Sequence, residues 1–373
     1  MKKLLKKLIA FNTLFILITI ISLLSLILSY VSPNIKPNSI SILPFFGLAY
    51  LPIFFINLFL LIIWIIKRSR WSIIILITIL LGGKFHFRTF CFGFNQITKN
   101  SNLIKIMSYN VHLFDLYNDN INQSYKNKNK IIEYVKKQNP DIICFQEFYD
   151  QDPPSSFRTK DTIIEIMDIK YIHEQFAKKN KQRQKFGVTI FSKYPIIKKG
   201  KINFKTHKWN YNYCIYADII KKTDTFRVYN VHLQSIRLEK EDYEIFNSRN
   251  KNSNSSYNII NMMQKMQKAY SVRAKQVDMI KNHITNSHKK NIIICGDFND
   301  TPTSYCYNQF NSILTDAYRN TSFGIGSTYA DIFLPMRIDY IFHSENLGSQ
   351  KFNVQKNKLS DHYAIDCNIY IKN

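Results

Sequence analysis

The sequence NIIICGDFND at residues 291–300 decides the fold of this chain. Apolar β-formers run directly into Gly-Asp-Phe-Asn-Asp, which predicts a buried strand that delivers Asp297 and Asn299 to a loop. Gly296 is expected to let the backbone turn where a side chain would obstruct it. Residues two apart in a strand point to the same side, so Asp297 and Asn299 can act together. A carboxylate and an amide in that place suit the attack of a water on an electrophile.

Other short apolar runs along the chain also end in polar residues. The runs are LIKIMSYNV (103–111), DIICFQE (141–147), FRVYNVHL (226–233), RIDYIF (337–342) and LSDHYAI (359–365). Their candidate functional residues are Asn110, Glu147, His232, Asp339, Asp361 and His362. If the strands belong to one sheet system, these side chains can converge on one cleft. Carboxylate oxygens suit Mg²⁺ or Mn²⁺, and histidines can serve as general base and acid.

The strands alternate with segments of helical periodicity, at residues 124–138 and 258–284. GVTIFSKYPI (187–196) predicts a further strand that runs into a proline turn. The charged stretch 236–246 is expected to be helical, and the polar, low-complexity stretch 247–258 is expected to be a flexible loop. Strands mixed with helices, some beside hairpin-like turns, predict a two-sheet α/β sandwich rather than a simple parallel sheet.

The N-terminal region has the composition of a membrane anchor. Residues 8–35 and 37–66 contain no charged residue, and each run is long enough to span a bilayer as a helix. A third apolar run, 71–83, is shorter and could span with snorkelling flanks, lie in the interface or re-enter the bilayer. We therefore divide the chain into a membrane anchor of two to three transmembrane helices at 1–100, which contacts the bilayer through residues 8–83, and a catalytic domain at 101–373.

Basic flanks predict how the anchor is oriented. Lys2, Lys3, Lys6 and Lys7 precede the first run, and Lys67, Arg68 and Arg70 follow the second. The positive-inside rule places both groups in the cytoplasm. With three spans, the remaining chain lies outside the cytoplasm; with two, it lies inside. We favour three spans, and hence an integral protein of a bacterial inner membrane with an extracytoplasmic catalytic domain.

The net charge of the chain is +25, from 51 Lys and Arg against 26 Asp and Glu. A basic protein favours anionic partners such as nucleic acid, phospholipid headgroups or small phosphate esters, although a genome bias towards Lys gives the same balance. KKNKQRQK (178–185) is either a nucleic-acid contact or a solvated loop. The cysteines form no CxxC pair, which argues against a thiolate zinc site.

The motifs SYNVHLF, DIICFQE, GVTIFSKYP, YNVHLQS, GDFND, RIDYIF and LSDH, in this order, resemble the endonuclease/exonuclease/phosphatase superfamily. The resemblance covers about residues 103–370. The strings RAKQ, GDFNDTPTSY and RIDYI further resemble membrane-anchored members of Bacteroidetes-type bacteria. The resemblance implies a four-layered αββα sandwich, in which two packed mixed β-sheets are flanked by helices.

The resemblance also implies a metal site and an attacking water. Glu147 would be the principal ligand of Mg²⁺, with Mn²⁺ as a substitute, and Asn110 and Asp361 would lie near the same ion. Asp297 would hold or activate the water. Asn299 would steady that water or a phosphoryl oxygen.

Three further residues would act on the phosphate. His362 would contact it or act as the base, with Asp339 bonded to its other ring nitrogen. His232 would bind the phosphate or protonate the leaving group. From the residues alone, Asp339 beside Arg337 could equally form a surface ion pair, and Arg273 could contact phosphate or lie on a helix surface.

We therefore expect a membrane-anchored, metal-dependent phosphoesterase, first of all a nuclease-like phosphodiesterase acting on nucleic acid. A lipid or sphingomyelin-type phosphodiesterase acting on phospholipid and a phosphatase of small phosphate esters are alternatives, because one fold hosts all these chemistries. A catalytically silent, membrane-tethered binding module is a further alternative. No protein partner is predicted.

Overall fold

The computed structural model describes residues 2–94, 97–98, 102–117, 121–155, 157–176, 183–204, 212–236, 255–331 and 334–372. Its N-terminal part is helical: α1 (Lys2–Val31), α2 (Leu43–Leu48), α3 (Tyr50–Ile66), α4 (Trp71–Leu81) and α5 (Gly83–Thr89). The other helices in the described residues are α6 (Ile121–Gln138), α7 (Thr159–Met167), α8 (Ser255–Thr285), α9 (Tyr305–Asn311) and α10 (Ala317–Thr321).

The N-terminal helices pack into a bundle. Trp64 of α3 donates its indole N–H to Thr19 of α1 at 3.0 Å, and Asn57 donates to the Ser22 carbonyl at 3.1 Å. Among the described helices, the segment Asn12–Asn34 has the length and mean hydropathy, 2.7, to cross a membrane. Helices α4 and α5 meet this criterion together but are bent by 63°, and α3 is apolar but has 17 residues. Signal sequences and core helices of soluble proteins share these properties.

The strands of the chain are β1 (Cys91–Phe92), β2 (Ile104–Asn110), β3 (Ile142–Gln151), β4 (Tyr171–Phe176), β5 (Gln184–Ser192), β6 (Ile196–Ile202), β7 (Tyr213–Lys221), β8 (Asp224–His232), β9 (Ile292–Asp297), β10 (Thr315–Asp316), β11 (Phe323–Gly324), β12 (Asp339–His343), β13 (Leu347–Gln355) and β14 (Ala364–Ile371). Two sheets of six strands carry the fold, in the orders β13-β14-β2-β3-β5-β4 and β10-β12-β9-β8-β7-β6. Both are mixed, because β2–β3 and β8–β9 are parallel and their neighbours are antiparallel.

Side-chain alternation along the strands builds the layers. Ile293 and Cys295 of β9 join the core between the two sheets, whereas Ile292 and Ile294 face helices α8 and α9. On the other sheet, β2 and β3 send alternate residues into the same central core and into the core beneath α6 and α7. The predicted four-layered αββα sandwich is therefore confirmed.

Several sequence-based boundaries change in the structure. The predicted strand 187–196 is the second part of β5 and the first residue of β6, separated by a bend at Lys193 and Tyr194. Helix α8 begins at Ser255, inside the stretch 247–258 that was expected to be a loop, and the rest of that stretch and the expected helix at 237–246 lie outside the described residues. Gly296 is paired within β9, so the expected turn is absent there, but a side chain would be obstructed as expected, because a Cβ would lie 1.9 Å from the carbonyl oxygen of Val231.

The helical bundle docks on the sandwich through the ends of its helices. Thr303 donates its hydroxyl to the Gly47 carbonyl at 2.7 Å, and Asn308 donates to the Pro33 carbonyl at 3.0 Å. Beyond α5, strand β1 pairs with β11, which joins the two parts of the chain in one small sheet. The sequence immediately after GDFND therefore contacts the bundle directly.

Candidate active site

The candidate site lies between the two sheets, at one end of their inner faces. Along β9, Asp297 is separated by an even number of residues from the inward-facing Ile293 and Cys295, so it faces inward as well. Asn110 has the same relation to Ile106 along β2. His232 ends β8, which runs parallel to β9 and is paired with Asp297, while Asp339 begins antiparallel β12 opposite the same residue. The topology thus brings four predicted residues to one edge.

Glu147 reaches this edge through an irregularity in β3. The register between β3 and β5 shifts between Phe145 and Phe148, and Glu147 has a φ of 50°. Phe145 and Phe148 both pack in the core beneath α6 and α7. The segment between them therefore has one residue more than regular strand alternation allows, and Glu147 is that residue. A β-bulge of this kind re-aims a side chain, and here it turns Glu147 towards Asn110.

The carboxylate of Asp297 is the centre of the site. Its Oδ2 accepts hydrogen bonds from the side-chain amides of Asn110 at 3.0 Å and Asn299 at 3.2 Å. The backbone N–H of Asn299 donates to Oδ1 at 2.8 Å. Two histidines also face Oδ2, with the Nε2 atoms of His362 and His232 at 3.7 and 3.8 Å. Asp297 is therefore held rigidly by neutral donors and flanked by two groups that can exchange protons.

Asp339 fixes the orientation of His362. Its Oδ2 lies 2.9 Å from Nδ1 of His362, and both side chains are buried. Thr328 in turn holds Asp339, because its hydroxyl oxygen accepts the backbone N–H groups of Ile338 and Asp339. The free Nε2 of His362 is thereby presented to Asp297.

Burial and charge shift the protonation of this pair in a consistent way. Burial raises the pKa of Asp297 above its usual value, and the nearby Asp339 adds to this effect, although His362 and His232 oppose it. Burial alone would lower the pKa of His362, but the carboxylates of Asp339 and Asp297 outweigh burial and hold that pKa well above its usual value. The site thus stabilises a protonated imidazole beside a desolvated carboxylate.

His232 lies between the two acidic residues with neither ring nitrogen hydrogen-bonded. Its Nε2 is 3.6 Å from Oε1 of Glu147 and 3.8 Å from Oδ2 of Asp297, and only 3% of the residue is exposed. A buried imidazole without a partner indicates a group that is completed by a ligand. His232 is thus available to a substrate oxygen.

The structure places the proposed metal ligands in one region. Asn110 Nδ2 lies 3.4 Å from Oε1 of Glu147, and Ser360 Oγ lies 2.9 Å from the Asn110 carbonyl oxygen and 3.1 Å from Oδ1 of Asp361. In the described part of the chain, Asp297, Asp339 and His362 also place one possible ligand atom each within 4.8 Å of the others. We favour the set with Glu147, because Asp339 is already committed to His362. The side chains of Asn110, Glu147 and Asp361 offer amide and carboxylate oxygens, and such oxygens fit a divalent cation.

Sequence reasoning missed two supports of the site. Thr328 holds the start of β12, and the ring of Tyr329 packs edge-to-face on His362 at 5.2 Å between centroids. Their motif GSTY (326–329) is visible in the sequence, but nothing there connects it with Asp339. The left-handed turn His112–Asp115, which directly follows the β2 strand end, was also not foreseen.

Two arginines have structural roles. Arg337 does not pair with Asp339 on a surface; it is buried, and its Nη1 donates to Asp316 at 2.8 Å. Arg273 is buried as well, with Nε 3.3 Å from Oδ2 of Asp300. Both readings of Arg273, as a phosphate contact or a helix-surface residue, are replaced by this internal ion pair.

Residues 107–362 match the profile of the Endonuclease/Exonuclease/phosphatase family. The chain belongs to this family. The resemblance noted in the sequence is therefore confirmed, and the chain is a member of a group of phosphoester hydrolases that typically depend on divalent metals. A second profile, described as a domain of unknown function (DUF8431), matches residues 12–90. No curated protein matches the chain.

Solved structures of this family share the fold of the sandwich. A family protein from Bacteroides vulgatus has a TM-score of 0.53 at 13% identity, with 73% of this chain and 100% of that chain covered. One from Bacteroides thetaiotaomicron has a TM-score of 0.52 at 16% identity, with 73% and 96% covered. A mannosyl-6-phosphatase of the latter organism has a TM-score of 0.50 at 16% identity, with 72% and 100% covered. At these identities the likeness concerns the fold alone.

Proposed function

We propose that this protein is a membrane-anchored, Mg²⁺-dependent phosphoesterase that hydrolyses its substrate by attack of a water. The observation that carries the proposal is the environment of Asp297 Oδ2, which faces Asn110, Asn299, His232 and His362 at once. Family membership supplies the reaction class, and these residues supply the groups that the reaction needs. Mn²⁺ can substitute for Mg²⁺.

Each residue has a role that its surroundings support. Asp297 positions the attacking water, and Asn299 steadies it from the adjacent position. Asp339 orients His362. The imidazole of His362 either accepts the proton of the attacking water or donates a hydrogen bond to a phosphoryl oxygen. His232 donates to the leaving oxygen, since its ring nitrogens have no other partner.

Asn110, Glu147 and Asp361 would hold the cation. When bound, it would act as a Lewis acid on the phosphoryl group of the substrate. The protein's part is to hold these ligands in place, which the hydrogen bond from Asn110 to Asp297 and the bulge at Glu147 support.

The arrangement of the helical bundle supports an extracytoplasmic position of the sandwich. Lys67 lies 3.5 Å from Asn12 Oδ1 and 5.0 Å over the ring of Phe15, both in the N-terminal half of α1. Gly47 and Arg88, at the opposite ends of the helices, accept hydrogen bonds from the sandwich. The basic loop at residues 67–70 and the sandwich therefore lie at opposite ends of the bundle. The positive-inside rule assigns this loop to the cytoplasm.

The described end of the basic run 178–185 gives little support to a nucleic-acid groove. Lys185 makes ion pairs with Asp152 and, at 3.7 Å, with Asp150, and Arg183 donates to the Pro153 carbonyl. Residues 178–182 lie outside the described part of the chain. We therefore propose phosphate-ester hydrolysis as the function. Assays with phosphodiester and phosphomonoester substrates distinguish the two classes of ester.

The test uses the full chain in lipid nanodiscs with Mg²⁺, Mn²⁺ or EDTA. Substrates are duplex DNA, RNA, phospholipid vesicles, a chromogenic phosphodiester and a sugar phosphate monoester. Asp297→Asn is the inactive variant, and Asp168→Asn, an exposed change at the end of α7, is the matched control. Metal-dependent turnover that Asp297→Asn abolishes supports the proposal. No turnover of any substrate would favour the silent binding module instead.

A reporter that is active only outside the cytoplasm, fused to the C-terminus of the full chain, tests the orientation separately. Activity of the reporter is expected. A silent reporter beside an active cytoplasmic reporter would overturn the extracytoplasmic placement and leave the hydrolase proposal untouched.

A further inference from the structure

Four phenylalanines at the junction of the helical bundle and the sandwich are exposed: Phe87 by 55%, Phe92 by 52%, Phe94 by 83% and Phe323 by 76%. They come from α5, from β1 and the residues after it, and from β11. The rings of Phe87 and Phe92 lie 5.8 Å apart, and those of Phe92 and Phe323 lie 5.5 Å apart. Single exposed apolar residues are ordinary, but a contiguous aromatic patch marks an interaction surface.

This phenylalanine surface continues the exterior of the bundle. Phe90 lies between Phe87 and Phe92 in the sequence, and its ring packs against Phe55 of α3 at 6.4 Å. Phe55 is itself exposed on the outside of α3, among apolar side chains that face away from the bundle. An apolar phase that covers α3 at Phe55 would therefore also contact Phe90, which is two residues from Phe92 in the chain.

We infer that the phenylalanine surface inserts into the interfacial region of the lipid bilayer and holds the sandwich against it. The inference rests on the proposed membrane anchoring of α1, α3 and α4. Aromatic side chains are favoured at the boundary between acyl chains and headgroups, where a membrane-bound domain can bury them. Lys84, exposed on α5 near Phe87, adds a charge of the sign that anionic headgroups attract.

The surface is connected to the candidate active site by a short segment. Phe323 belongs to β11, and the chain then leads to Thr328 and Tyr329, which support Asp339 and His362. Contact of Phe323 with the bilayer would therefore set the distance of Thr328 and Tyr329 from the membrane and their orientation relative to it. A phosphate ester presented at the membrane surface would meet the site in a fixed geometry, with the entropic cost of orientation already met.

Depth-dependent quenching tests the inference on the full chain. All native cysteines are buried, so an introduced surface cysteine can be labelled selectively with an environment-sensitive fluorophore. Phe323→Cys and Phe94→Cys are labelled and reconstituted into nanodiscs whose lipids carry a nitroxide near the ester end of the acyl chain. Leu80→Cys on α4 reports whether the bundle is embedded, and Ile197→Cys on β6 is the exposed control away from the surface.

We expect Phe323→Cys and Phe94→Cys to lose fluorescence by a factor close to that of Leu80→Cys, while Ile197→Cys is unchanged. Quenching at Leu80→Cys alone would overturn the inference and leave the anchor standing. Absence of quenching at Leu80→Cys would overturn the anchoring itself. A blue-shifted but unquenched label at Phe323→Cys would assign the surface to a second copy or another protein, which also contradicts insertion into lipid.

Discussion

Oδ2 of Asp339 lies 2.9 Å from Nδ1 of His362, and the same imidazole turns its Nε2 towards Asp297 at 3.7 Å. The two residues are 23 positions apart and lie on different segments, so the contact is a product of the sandwich topology. Its consequence is a single ring orientation, in which Nδ1 faces Asp339. His362 can then serve Asp297 or the substrate only through Nε2.

Asp339→Asn is expected to lower kcat by about 10²–10⁴-fold, the range that general acid–base catalysis contributes. The amide keeps the size of the side chain but cannot stabilise a protonated His362 or enforce its tautomer. KM is expected to change much less, because Asp339 makes no direct contact with the proposed substrate position. Steady-state kinetics on a chromogenic phosphate ester measure the split.

Asp168→Asn should leave both constants of that assay unchanged, since Asp168 is exposed on the outer side of the sandwich. A kcat of Asp339→Asn within a few-fold of the wild type, with a normal melting curve, would refute the positioning role.

Glu147→Gln is expected to abolish metal-dependent turnover and to weaken binding of Mn²⁺, because the remaining oxygen ligands carry too little negative charge to hold a divalent ion. Isothermal titration of the protein with Mn²⁺ measures this independently of activity. Glu165→Gln, an exposed change of the same type on α7, is the matched control. Unaltered Mn²⁺ affinity in Glu147→Gln would remove Glu147 from the ligand set and turn attention to Asp297, Asp339 and His362.

Strand periodicity was sufficient to predict much of the site. Asn110, Asp297 and Asp339 lie on the inner face because alternation along a strand is fixed by the backbone, and the polar ends of apolar runs were visible in the sequence. The convergence of these ends followed from the two-sheet arrangement, which the order of the motifs indicated. Resemblance to the family then supplied the individual roles.

Glu147 shows where periodicity fails. Simple alternation from Phe145 would send Glu147 into the core beneath α6, and only the shift in pairing with β5 re-aims it. The turn His112–Asp115 is a second case, because its four residues adopt positive φ values without a single glycine. Non-glycine residues enter this region at an energetic cost, so a run of four is not expected from the sequence, and in this turn the ring of Phe114 is buried.

The free energy of unfolding is expected to fall as the pH drops below about 6.5, in part because of His343. Burial is the main cause that lowers the pKa of His343, although a hydrogen bond to the Ser344 carbonyl opposes it. The unfolded chain then binds a proton more readily than the folded one, so the contribution is full above about pH 6.5 and is lost as the pH falls towards the folded pKa. Each tenfold difference in proton affinity is worth about 1.4 kcal/mol.

His343→Gln should flatten this pH dependence, because glutamine can keep a polar contact with Ser349 but does not titrate. Urea unfolding of the detergent-solubilised protein at several pH values measures the difference between the variant and the wild type. An identical slope in both proteins would show that His343 does not contribute.

Gly296→Ala is expected to impair stability and activity together. A Cβ at this position would lie 1.9 Å from the carbonyl oxygen of Val231, and the φ of Gly296 is +143°. The obstacle is backbone of β8, which cannot move aside without separating the parallel pair that carries His232 and Asp297. Overpacking in a core costs about 1–3 kcal/mol, and backbone strain adds to it. Thermal unfolding and ester hydrolysis measure both effects.

Gly83→Ala is the matched control, because a Cβ there meets nothing within 4 Å and the residue begins α5. It should melt no lower than the wild type, since alanine favours the helix. If Gly296→Ala also melted normally and kept its activity, β8 and β9 would be able to separate far enough to accommodate a Cβ. The tight approach at Gly296 would then have no part in placing Asp297, and the positioning of the central carboxylate would rest on its hydrogen bonds with Asn110 and Asn299 alone.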